Sequence, residues 1–154
     1  MRNFVGTDSE YIESRVLSAT PAGLIEILYE KALEHMASAQ FHLRAGEVVE
    51  RGQAISKVQA IINELLHSLD TKKGGEIALN LQRLYEYSVL KLTEAHRFGT
   101  EAGLVEVERI LQNMLDGWRE ATRPAQNTSS YDSVTADHML LQPEAAPALR
   151  SWTL

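Results

Sequence analysis

Apolar residues recur along this chain at three- and four-residue steps, the spacing that aligns one face of an α-helix. Leu24, Leu28, Ala32, Met36, Ala39 and Leu43 form the first stripe. Thr20 precedes it as a cap for the orphan amides, Pro21 suits the first helical position, and Gly46 follows as a stop. Ile55, Val58, Ile62, Leu65 and Leu69 predict a second helix. Asp70-Thr71-Lys72-Lys73-Gly74-Gly75 reads as a tight polar loop. A third helix carries Ile77, Leu81, Leu84, Ser88, Leu92 and Ala95 on one face and ends at Phe98-Gly99. Thr100 is placed to cap a fourth, with Leu104, Val107, Leu111, Met114 and Trp118 on its stripe and Pro124 as its stop.

Four helices with short connections predict an all-α fold, an antiparallel four-helix bundle over residues 20–121. Residues 1–19 hold Phe4, Val5, Tyr11, Ile12, Val16 and Leu17 without a clear helical seam and read as a separate N-terminal segment. Residues 122–154 are rich in Ala, Pro, Ser and Thr and read as a flexible C-terminal tail. Two apolar clusters interrupt that tail, Met139-Leu140-Leu141 and Leu149 through Trp152 to Leu154. They could fold back onto the bundle and compete with a partner, or belong to a disordered appendage.

Composition narrows the function. The chain has 154 residues, enough for a single core, and a formal charge of -6. Its basic residues are scattered, with Lys72-Lys73 the one tight pair, so nothing offers the cationic stripe that nucleic acid requires. Absence of cysteine excludes disulfides and thiolate metal sites. No apolar run approaches the roughly 20 residues of a membrane span, and the N-terminus lacks an apolar signal core. The expected setting is the cytoplasm, without membrane insertion.

Helical bundles often hold di-metal centres built from two Glu-x-x-His pairs and two further glutamates. One such pair exists here, Glu64 and His67, and it lies about 130° and about 170° from the centre of its helix's apolar stripe. Glu94, followed three residues later by Arg97, supplies no second pair. His67, Ser68 and Asp70 lack the strained elbow of a nucleophile, and Gly74-Gly75 lacks the spacing of a phosphate loop. No catalytic residue, metal or cofactor is expected. A ferritin-like metal-dependent enzyme is the alternative from another class, and a generic helical adaptor is a second.

Some helices carry more apolar residues than one seam needs. Leu79 and Leu90 fall opposite the third helix's predicted stripe, beside Arg83 and Glu86. Ile27 and Phe41 form a second stripe with Ala37 on the first helix. Contiguous patches of this kind mark interaction sites, unless the N-terminal segment or the tail covers them. Tyr85 and Tyr87 are placed at the two edges of the core stripe, where a ring can be buried and its hydroxyl wet. Asn80 could bond either an extended backbone or a neighbouring helix.

The run Ile61-Ile62-Asn63-Glu64-Leu65-Leu66-His67-Ser68-Leu69-Asp70, then Lys73-Gly74-Gly75-Glu76-Ile77-Ala78, Asn80-Leu81 and Leu84-Tyr85-Glu86-Tyr87, resembles the signature of the flagellin-specific export chaperones, the FliS family. Tyr11, Val16, Ala19, Pro21, Leu24 and Leu28-Tyr29 match that family's N-terminal pattern, and Trp118 its late aromatic. The likeness spans roughly residues 11–120. Ser88 stands where the family commonly has methionine, and Gly23 where it has a polar residue. The resemblance implies a chaperone of the bacterial cytosol and not an enzyme. It implies binding of flagellin's disordered C-terminal segment as short helices in apolar grooves, which prevents premature polymerisation. It implies delivery to the cytoplasmic domain of the flagellar type III export gate. Leu66, Leu79, Asn80, Tyr85, Tyr87 and Leu90 are the residues expected to meet flagellin, and Tyr11 the one expected at the export gate. The pattern fits either a monomer or a homodimer.

Overall fold

The computed structural model describes residues 4–124. They form α1 (Phe4–Ser18), α2 (Pro21–Ala45), α3 (Val48–His67), α4 (Thr71–Phe98) and α5 (Glu101–Thr122). Helices α2 to α5 form a ring in which each packs on its two neighbours, with α5 returning to α2. The expectations about the tail from residue 125 onward lie outside the described residues.

The predicted starts and stops are largely where the chain turns. Thr20 accepts a bond from the amide of Gly23 at 3.1 Å, and Pro21 opens α2. Gly46 and Gly99 close α2 and α4 with φ of 74° and 65°, left-handed backbone that glycine adopts without strain. Thr100 stands at the start of α5, but its side chain makes no capping bond.

Three expectations change. Within the N-terminal segment Phe4–Ser18 is helical, although the sequence showed no clear seam there. Ile12, Val16 and Ala19 form a seam only two steps long, too short to stand out in the sequence, and they pack against the core. The polar stretch after Asp70 is not a simple loop. Asp70 Oδ1 accepts from the amides of Lys72 and Lys73, both at 3.1 Å, and starts one helical turn. Gly75 then breaks the helix at φ 55°, ψ -134°, and α4 continues beyond the kink.

The third change is a rotation of α4. Its core face is Ala78, Leu81, Tyr85, Ser88, Leu92 and Ala95, whereas Ile77 and Leu84, expected inside, are exposed. Hydrophobicity ranks leucine and isoleucine above alanine and tyrosine, which misplaces the stripe. Packing prefers small residues here because they let backbones approach: a Cβ on Gly103 of α5 would come within 3.0 Å of the Ala95 Cβ. Ser88 is fully buried and donates to the Leu84 carbonyl at 2.7 Å.

Elsewhere the predicted stripes are the core. Leu24, Leu28, Ala32, Met36 and Ala39 of α2, Ile55, Val58, Ile62 and Leu65 of α3, and Leu104, Val107, Leu111 and Trp118 of α5 are buried. Leu43 and Met114 lie at its margin, and Leu115 takes the inward place on α5. The Trp118 indole N–H donates to the Ala22 carbonyl at 2.9 Å, tying the end of α5 to the start of α2. No helix among the described residues is long and apolar enough to cross a membrane.

Candidate functional site: the exposed flank of α4

Because its core face is narrow and small, α4 turns an unusual share of its large apolar side chains outward. Ile77, Leu79, Leu84, Tyr87 and Leu90 are all exposed. The neighbours fix their directions. On one side Gln59 of α3 donates to the Val89 carbonyl at 3.2 Å and to Thr93 Oγ1 at 2.9 Å. On the other, the Tyr87 hydroxyl donates to Glu106 of α5 at 2.6 Å. Helical phase then places Leu79 and Leu90 on the outer ridge with Arg83 and Glu86, and Ile77, Asn80 and Leu84 on the flank that borders α5. Gly117 lies on the α4 side of α5 by the same phase, and a Cβ there would meet nothing within 4 Å. This stretch of α5 therefore leaves room beside Ile77.

The expected binding residues thus divide. Leu79 and Leu90, at 43% and 59% exposure, sit on the outer ridge as their spacing indicated. Asn80 and Tyr87 are exposed on the α5 flank, and Leu66 is half-buried against the core on α3. Tyr85 is not at an edge with a wet hydroxyl. It is 2% exposed, and its hydroxyl hydrogen-bonds that of Tyr29, also buried. Burial pushes Tyr29 up to about 12, against the effect of that bond, and Tyr85 well above its ordinary value, so both stay neutral. Tyr85 is therefore the floor beneath the flank. Tyr87 keeps its proton for another reason: the Glu106 carboxylate that accepts from it raises its pKa. Ile77 and Leu84 belong to the exposed flank and were assigned to the core from sequence. Their step from Asn80 and Tyr87 was the signal that could have placed them outside.

Tyr11 lies on α1 and is 64% exposed, with the Arg15 guanidinium 5.9 Å from its ring centroid. Arg15 in turn anchors α1. Its Nη1 donates to Glu30 Oε2 at 2.8 Å, while Arg119 of α5 donates to Glu30 Oε1 at 3.0 Å and to Glu26 at 2.7 Å. Burial would raise the Glu30 pKa, but the two guanidiniums hold it below the ordinary value. Under this clasp α1 covers Ile27, one half of the second stripe expected on α2. The other half, Phe41, stays exposed.

Phe41 also belongs to a second exposed group at the opposite end of the bundle from Gly75, with Val48, Val49 and Phe98. Nearby, a cleft of about 590 Å³ opens over α3 beside Val49, Gly52, Ser56 and His96. Arg51 is buried there and donates to Nδ1 and to the carbonyl oxygen of His96 at 3.3 Å and 3.0 Å. Among the described residues no three His, Asp or Glu side chains form a metal-binding group. His67 is exposed and Glu64 half-buried.

Comparison with known proteins agrees with this architecture. Residues 5–125 match the family model described as flagellar protein FliS. The chain is 40% identical over 115 residues to the flagellar secretion chaperone FliS of Salmonella typhimurium, covering 74% of this chain and 85% of that protein. It is 38% identical over 107 residues to the flagellar secretion chaperone FliSB of Pseudomonas aeruginosa, covering 70% and 85%. The Bacillus subtilis flagellar secretion chaperone FliS is 26% identical, over 72% of this chain and 82% of that protein. Members of the family are named as chaperones and not as enzymes. A helical bundle with an apolar flank and matches of this extent establish that the chain belongs to the FliS family of flagellar secretion chaperones.

Proposed function

We propose that this chain is a bacterial cytosolic chaperone that binds flagellin's disordered C-terminal segment, keeps it from polymerising, and presents it to the cytoplasmic domain of the flagellar export gate. The observation that carries this reading is the outward face of α4. A bundle with a complete core has no folding reason to keep Ile77, Leu79, Leu84, Tyr87 and Leu90 exposed on one helix. An amphipathic cargo helix lays its apolar side on such a face, with Leu66 and Asn80 extending the contact to either side and Tyr85 supporting it from below. Residues 20–121 act as the chaperone domain. Tyr11, exposed on the clasped helix α1, is the group offered to the export gate.

Titration of the full chain with a peptide of flagellin's C-terminal segment tests the cargo reading. Saturable binding is expected, and absence of binding would end it. Tyr11→Ala should keep that binding and lose capture by the isolated export-gate domain. Equal loss of both would show that Tyr11 supports the fold instead.

A further inference from the structure

Residues 125–154 lie outside the described residues, and the family match stops at residue 125. Their large aliphatic side chains concentrate in Met139-Leu140-Leu141 and in the cluster from Leu149 through Trp152 to Leu154. The register of the bundle decides where this stretch begins. Tyr87 meets Glu106, and Ala95 meets Gly103, so α5 runs back along α4 and its end arrives beside Ile77. The chain therefore leaves the bundle next to the exposed face of α4.

We propose that the apolar clusters within residues 139–154 dock in cis on that face and hold it until cargo displaces them. Lengths agree. A chain of this length from Pro124 to Met139 would, as a random coil, have a root-mean-square span of about 20 Å. The face from Ile77 to Leu90 is also about 20 Å long at the α-helical rise. A tether of this size gives an effective concentration of order millimolar, so even a contact with millimolar affinity is well populated. The consequence for cargo rests on the function proposed above, while the docking itself does not.

The chain has no cysteine, so Gln142→Cys accepts a single nitroxide label in the full-length protein. Methyl signals of Ile77, Leu79, Leu84 and Leu90 should fall at least about threefold relative to Val107, and recover when Leu140→Asp and Leu141→Asp are added. Absence of selective broadening overturns the proposal. So does broadening that appears only between separately labelled copies, because a second chain would then be the occupant. If docking competes with cargo and fills about four-fifths of the face, the Leu140→Asp/Leu141→Asp chain binds flagellin's C-terminal segment about five-fold more tightly. Unchanged affinity overturns the competition. Failure of both chains to bind that segment removes the cargo reading and leaves the docking result standing.

Discussion

At the residue scale, two contacts join helices distant in sequence, one a buried polar pair and one the close approach of a glycine to a ring. The Tyr29 and Tyr85 hydroxyls satisfy one another in a place where neither meets water. Tyr29→Phe or Tyr85→Phe alone strands the other hydroxyl and should cost about 1–3 kcal/mol, measured by denaturant unfolding. The double substitution should cost clearly less than the sum of the two, since it removes both polar groups. Gly52 is the second point. A Cβ there would sit 3.0 Å from the His96 ring, which Arg51 holds in place. Alanine gains about 0.5–1 kcal/mol over glycine inside a helix, so Gly52→Ala should stabilise by less than that through crowding of the ring, and His96→Ala in the same chain should restore the gain. Neither contact was legible in the sequence. Tyr85 read as an edge residue because periodicity registers direction and says nothing of a partner 56 positions away. Gly52 carried no signal, since a mid-helix glycine becomes meaningful only beside the ring it makes room for.

At the scale of elements, α2, α3 and α5 could be read from spacing because one wide stripe of large side chains faces the core in each. The helical seam of α1 escaped, and so did part of the inner face of α4, for different reasons. The seam of α1 is too short, and it is completed by ions that no apolar pattern records. On α4, Leu81, Ser88, Leu92 and Ala95 were legible, but Ile77 and Leu84 outweighed Ala78 and Tyr85 in the apolar pattern. The ionic clasp makes the docking of α1 sensitive to pH. The Glu30 pKa is depressed in the fold, so its stabilisation is complete above the unfolded glutamate value and is lost as the pH falls below about 4.3 towards the folded value. Amide protection factors across residues 9–18 should fall in that acid range and stay constant between pH 6 and 8. Glu30→Gln should give faster exchange at neutral pH, with α3 unaffected. Uniform protection in the variant would show that Ile12 and Val16 hold α1 unaided.

For the whole molecule, folding and the proposed recognition fall on two sides of one helix. Ala78, Ser88, Leu92 and Ala95 hold α4 in the ring, while Leu79 and Leu90 face outward. Leu79→Asp with Leu90→Asp should therefore leave the midpoint of unfolding within a few degrees of the parent, a shift of about 0.5 kcal/mol or less. Binding of flagellin's C-terminal segment should fall at least about tenfold, read by titration. Unfolding of the doubly substituted chain would show that the ridge is structural. The family signature made this region visible in the sequence, and the second-stripe argument found its outer leucines. Ile77 and Leu84 were missed because only the packed bundle shows how far α4 has turned.

The small inner face of α4 also bears on how such a protein can change over generations. Alanine and serine tolerate few replacements where backbones press together, so the inward side is held to a narrow alphabet. The outer leucines lie on the exposed ridge. If that ridge receives cargo as proposed, they can be exchanged to follow a cargo whose own sequence drifts, with little repair elsewhere in the bundle. Selection on partner fit and selection on folding would then act on separate letters of the same helix.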